Sequence, residues 1–300
     1  MESATRTGIE LLDPSSWQAA AERHAARVEP WVGPHLDRRR HRVPHPVEDF
    51  LFAYYSYRPA ALRRWHPGFG FALVDEERSA LKGYGDLAAV VGTPGAVGVT
   101  LDHVSSQRPL LEALRTLLAA TASRPAHFGC FGLHEWAMVY RQPPDQVRHG
   151  DWPLRLGAAG TDEVVESHRV ACSHFDAFRF FTDPARPLNV LQPGRDDRPA
   201  FEQPACLHAG MDLYKHAFRL SPMVASELVA DCFELAREIR VLDMRASPYD
   251  LADLGYEPVR IETVEGKQEY TAAQRVFAER GAPLRGRLLD EVDRLLAAVS

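Results

Sequence analysis

The sequence predicts a mainly α fold with a small β-element, in one compact domain. Three observations predict it. Apolar stripes at three- and four-residue spacing dominate after Pro109. Short apolar runs bounded by glycine and proline are confined to residues 68–101. The chain has 300 residues, 45% of them hydrophobic and 25% charged, enough for one sizeable core. Residues 1–12 read as a flexible tail and 13–300 as a single globular domain.

Pro14-Ser15-Ser16 starts a helix that ends near Trp31. The run Asp37-Arg38-Arg39-Arg40-His41-Arg42 reads as a solvated loop, or as an arm that meets phosphates. Phe50, Tyr54 and Tyr57 recur at helical spacing within 47–65, one face of an amphipathic helix. Arg58, Arg63 and Arg64 follow, and aromatics interleaved with arginines can also clamp a nucleic acid. Residues 70–74, 87–91 and 97–101 are the strand candidates. Gly92, Gly95 and Gly98 lack the spacing of a dinucleotide loop.

Leu110, Leu111, Leu114, Leu117 and Leu118 form a helical stripe that Pro125 ends. A second helix, from about Gly129 to Tyr140, carries His134 and Glu135. Residues 145–160 read as a loop with one short strand over 152–156. Thr161 is the expected N-cap of a helix whose apolar run opens at Val164. Residues 170–181 fit helix or strand equally. Residues 183–204 hold five prolines and read as a long loop, a feature often functional in a compact domain. Residues 206–218 and 224–244 read as helices, the latter with Leu228, Cys232, Leu235 and Ile239 on one stripe. A short strand is expected over 257–262, then a terminal helical region over 270–299 broken near Gly281-Ala-Pro283.

Three stretches carry the unusual chemistry: Cys130-Phe-Gly-Leu-His134-Glu135, Cys172-Ser-His174-Phe-Asp176 and Cys206-Leu-His208-Ala-Gly-Met-Asp212. Each sets a cysteine, a histidine and a carboxylate among apolar residues, where polar groups are costly to bury unpaired. They suggest one shared polar site inside the core. Histidine and carboxylate donors suit zinc, iron or manganese. His208, Asp212 and His216 share one helix face, and His134 or Glu135 with His174 or Asp176 could complete a coordination shell. The metal set expected is His134, His174, His208 and Asp212. The structural alternative is a group of core histidines bonded to neighbouring carboxylates. HExxH is absent.

Without a metal, Asp176, Glu135 and Asp212 among aromatics are candidates for acid–base work, their acidity weakened by desolvation. Lys215 could serve as a Schiff-base amine, or simply face solvent. The four cysteines, Cys130, Cys172, Cys206 and Cys232, lie in apolar surroundings and read as buried hydrophobes rather than nucleophiles. Arg245 and Tyr249, in Asp243-Met-Arg-Ala-Ser-Pro-Tyr-Asp250, suit an anion or a capped helix end.

The net charge of -6 argues against a generally basic nucleic-acid-binding surface. Lys82, Lys215 and Lys267 are the only lysines. An arginine-rich composition can reflect base composition or phosphate binding. No signal segment, CxxC pair or run of about 18 apolar residues occurs. The expectation is a cytoplasmic protein with reduced cysteines and no membrane partner.

The stretches 126–141, 172–182 and 242–250, with Val-Glu-Asp-Phe-Leu-Phe-Ala-Tyr-Tyr-Ser-Tyr-Arg-Pro within 45–67, resemble a family of actinobacterial 3-methyladenine DNA glycosylases over nearly the whole chain. That resemblance implies a hydrolase that excises alkylated purines from DNA. A helix-hairpin-helix signature and an iron–sulfur cysteine cluster are absent, so no catalytic residue is carried over from such enzymes. Such an enzyme would flip its base into an aromatic pocket. Tyr54, Tyr57, Trp136, Arg245 and Tyr249 are the substrate-binding candidates. Asp176 or Glu135 would orient the water, and arginines near Arg39 and Arg63 would meet phosphates. Two other readings stand beside it: a metal-dependent hydrolase or oxidoreductase acting on a small molecule, and a non-catalytic binding protein.

Overall fold

The structure, a computed structural model, describes residues 8–143 and 152–300. In chain order the elements are β1 (Glu10–Leu11), α1 (Pro14–His41), α2 (Phe50–Tyr54), α3 (Pro59–Arg63), β2 (Phe71–Val74), β3 (Tyr84–Asp86), α4 (Ala88–Val91), β4 (Ala96–Val99), α5 (Leu101–Ser106) and α6 (Arg108–Ser123). There follow α7 (Leu133–Ala137), α8 (Gly157–Glu166), α9 (Phe175–Phe178), α10 (Arg198–Phe201), α11 (Leu207–Leu220), α12 (Ser226–Arg245) and α13 (Val264–Ala298). The fold is mainly α with one small sheet, as the sequence predicts.

The sheet runs β1-β2-β4-β3. β1 is parallel to β2, with Glu10 opposite Phe71, so part of the stretch read as a tail is an edge strand. β4 pairs antiparallel with β2 and β3, through Leu73–Val97 and Gly85–Gly98. The apolar run at 87–91 is not a strand. Asp86 accepts the Ala88 N–H at 2.7 Å, and that bond turns the chain into α4.

Apolar stripes build the core where expected. Leu111, Leu114, Leu117 and Leu118 are buried on α6, and Leu228, Cys232, Leu235 and Ile239 on α12. α11 packs against α12, and α13 packs against α6, α11 and α12. One continuous apolar cluster joins Val28 of α1, Leu114 of α6, Met211 of α11, Phe233 of α12 and Val292 of α13.

Two helices outrun their predicted ends. α1 continues through the basic run to His41, with Arg38, Arg39, Arg40 and His41 in its last turn. Positive side chains there complement the exposed carbonyl end of the helix dipole. α13 passes unbroken through Gly281 and Pro283. The cost of the proline is offset by a buried stripe of Tyr270, Gln274, Leu288, Val292 and Leu295. Conversely, the helix expected over 129–140 shrinks to α7. α8 begins at Gly157, so Thr161 lies inside it and donates its hydroxyl to Gly157 O at 2.7 Å.

The strand expected over 152–156 reduces to one bridge, Leu154 with Tyr249, and residues 145–151 of the expected loop lie outside the described residues. Residues 257–262 form no strand; the Val259 N–H instead donates to Arg245 O at 2.8 Å. No helix among the described residues is long and apolar enough to cross a membrane.

Candidate active site

The three Cys/His stretches meet. The His134 and His208 rings lie 4.4 Å apart, edge to face, and His174 and His208 lie 5.3 Å apart, stacked. Local backbone brings His134 inward. Phe131 and Gly132 both take left-handed conformations, with φ of 48° and 71°, so the chain turns sharply into α7. At Gly132 a Cβ would fall 3.3 Å from the Ala246 Cβ and 3.4 Å from Tyr270, which keeps that position small. All five residues of α7 are buried, and Trp136 anchors it by donating Nε1–H to Ala246 O at 2.8 Å.

At the centre, His134 Nε2 bonds Asp243 Oδ1 at 2.8 Å. On the far side of the same ring, Nδ1 lies 3.9 Å from Cys130 Sγ. Arg240, one turn before Asp243 on α12, donates Nη1–H to Asp243 Oδ2 at 2.7 Å and to Glu135 Oε1 at 2.9 Å. Burial opposes charge on His134, but the Asp243 carboxylate outweighs it and holds the imidazole well above its ordinary value. Burial, then the neighbouring His134, pushes His208 well below its ordinary value. His208 is therefore neutral, with a ring nitrogen lone pair free to bind.

His134, His208 and Asp243 each offer one ligand atom, and those atoms all lie within 4.8 Å of one another. Two imidazoles and one carboxylate form a donor set suited to zinc or iron. His208 also lines two small cavities. One holds about 20 Å³ and is walled by Phe50, Tyr54, Phe180 and Arg240, with Asp176 and Glu135 as its acids. The other, behind the site, is lined by Cys130, Cys172 and Cys206. Burial raises the Cys172 thiol well above its usual value and pushes Cys206 up to about 12, so neither is a ready nucleophile.

A second polar knot adjoins the first. Asp212 accepts from Tyr55 at 2.8 Å, Arg198 at 2.7 Å and Lys215 at 3.0 Å. Lys215 also donates to Asp176 at 2.8 Å, and Arg198 to Glu202 at 2.5 Å. His174 sits between, 3.4 Å from both Glu202 and Asp212. Burial opposes charge on Asp212, but His174 and Lys215 hold its carboxyl well below the usual range.

The predicted residues therefore divide. His134 and His208 share the compact ligand group with Asp243, whereas His174 and Asp212 belong to the adjoining knot. Asp176, Glu135 and Tyr54 line the aromatic pocket. Tyr57 instead stacks on Phe218, with ring centroids 3.9 Å apart. Trp136 is sealed in the core, and Tyr249 packs in a separate apolar cluster. Arg245 is tied to Glu257 O and Glu269.

Asp243 and Arg240 complete this buried group, and sequence reasoning missed both. A signal was available: each is a charged residue beside the apolar stripe of α12, and each is buried.

The chain matches no protein-family model, no curated protein and no solved structure.

Proposed function

We propose that the chain is a metal-dependent hydrolase of a small molecule, with the ion held by His134, His208 and Asp243. One observation carries this reading: three buried ligand atoms lie within 4.8 Å of one another, and one of the three residues, His208, also walls an aromatic pocket. Buried ionisable groups are costly unless paired or metal-bound, and neutral His208 has the lone pair a cation needs. A divalent ion there would polarise a carbonyl or a water. Phe50, Tyr54 and Phe180 would flank the reacting end of the substrate, and Glu135 and Asp176 would supply proton acceptors on the pocket wall. Elemental analysis tests this. Stoichiometric zinc, iron or manganese is expected in the purified protein and is lost in His208→Ala. A folded protein that binds no divalent metal sinks the reading.

A second reading, base excision from alkylated DNA, is favoured by one arrangement. Asp176 lines both the aromatic pocket and a larger cleft edged by Arg179, Arg195, Arg198 and Lys215. A flipped base would sit in the larger cleft against Phe175, beside Asp176, while the arginines met phosphates. Release of free 3-methyladenine from methylated DNA, insensitive to chelators and lost in a folded Asp176→Asn protein, would support it. No release would end it.

A further inference from the structure

Arg240 is 1% exposed, yet only one corner of its guanidinium is used. Nη1 donates to both Glu135 and Asp243. Nε and Nη2 have no hydrogen-bond partner among the described residues. Its Cζ lies 3.8 Å from the centroid of the Phe50 ring, and the side chain helps line the aromatic pocket next to His208.

We infer that the free Nε–Nη2 edge of Arg240 is a receptor for a carboxylate on the substrate. The inference rests on the metal-dependent reading and deepens it. That edge presents two parallel N–H groups, the arrangement that takes both oxygens of a carboxylate side-on. Leaving such donors buried and unpaired is unfavourable, so a ligand that satisfies them is favoured over water lost on its binding. The cavity, at about 20 Å³, has room for little more than one water-sized group. Only the small head of a ligand would enter it.

Acetate and its neutral counterpart acetamide are the probes, measured against metal-loaded protein by ligand-observed NMR. Acetate is expected to bind at least tenfold more tightly than acetamide. Arg240→Lys keeps the charge but not the fork, and it should abolish that preference while metal content is retained. An acetate preference unchanged in Arg240→Lys would mean that the ion alone holds the anion, and would overturn the inference. Equal binding of the two probes would overturn it as well. Should that variant fail to fold, wild-type protein with ¹⁵N-labelled arginine serves instead: acetate, but not acetamide, shifts the Arg240 Nε–H resonance, and no shift refutes the fork. Absence of metal by elemental analysis would count against the hydrolase reading alone. The same two probes in metal-free protein then decide the fork by the same outcomes.

Discussion

His134 on α7 and Asp243 on α12 join at 2.8 Å across 109 residues of chain, with both side chains sealed from solvent. Arg240 shares that carboxylate. Asp243→Ala would leave a guanidinium and an imidazole buried with a lost partner. Removing one member of a buried ion pair typically costs about 3–5 kcal/mol. Urea denaturation should show a loss of that order; a loss under about 1 kcal/mol would mean that the network contributes little.

Metal and stability should be linked. A cation that binds only the folded chain raises its melting temperature in proportion to the logarithm of its concentration. Zinc titrated into chelator-treated protein should therefore raise the transition. His208→Ala should melt at one temperature regardless of zinc.

Acid should unfold the protein through histidines outside the ligand group. Burial lowers both His66 and His216 to about 3. Their unfolded values lie near 6.5, so between those limits the unfolded chain binds more protons and stability rises with pH. Each group's contribution is fully present above about 6.5 and is lost as pH falls toward 3. Between pH 6.5 and 5 the loss is about 2 kcal/mol per group. His134 and Asp243 are raised and lowered respectively. His134 thus has the opposite slope, contributing most below about 6.5, while Asp243 weakens only as pH falls below about 4. The test is the melting temperature of metal-free protein at pH 7 and pH 5, in wild type and in His216→Gln. The drop on acidification should be smaller in the variant; an equal drop would remove His216 from the account.

The start of α13 makes a purely structural prediction. Thr263 accepts the Gly266 N–H at 3.0 Å, and a Cβ on Gly266 would lie 1.9 Å from Arg260 O. Backbone cannot give way there as a side-chain tip can. Thr263→Ala should cost about 1 kcal/mol. Gly266→Ala should cost about 1–3 kcal/mol or more, and denaturation curves for the two should separate in that order.

Long helices were legible in the sequence because their apolar stripes bury without local exceptions: Leu111 to Leu118 on α6, and Leu228 to Ile239 on α12. Their ends were less so. The sequence of α1 contains Pro30 and Pro34, and that of α13 contains Pro283, yet tertiary packing keeps both helices continuous. The meeting of His134, His174 and His208 could be suspected from repeated Cys/His spacing. Which histidines share a ligand group could not, because it depends on Asp243 from a fourth segment. Local spacing carries no information on how α7 docks against α12; that is set by Trp136, Ala246 and the tight turn at Gly132.

Asp212 receives Tyr55, Arg198 and Lys215 at once and stands 3.4 Å from His174. Four partners, three of them from other stretches of chain, converge on one small carboxylate. Any one-step replacement strands several of them, so drift at this position requires concerted change elsewhere. Asp212 with its Tyr, Arg and Lys partners is therefore a landmark by which remote descendants of the same architecture can be recognised after their overall sequences have diverged.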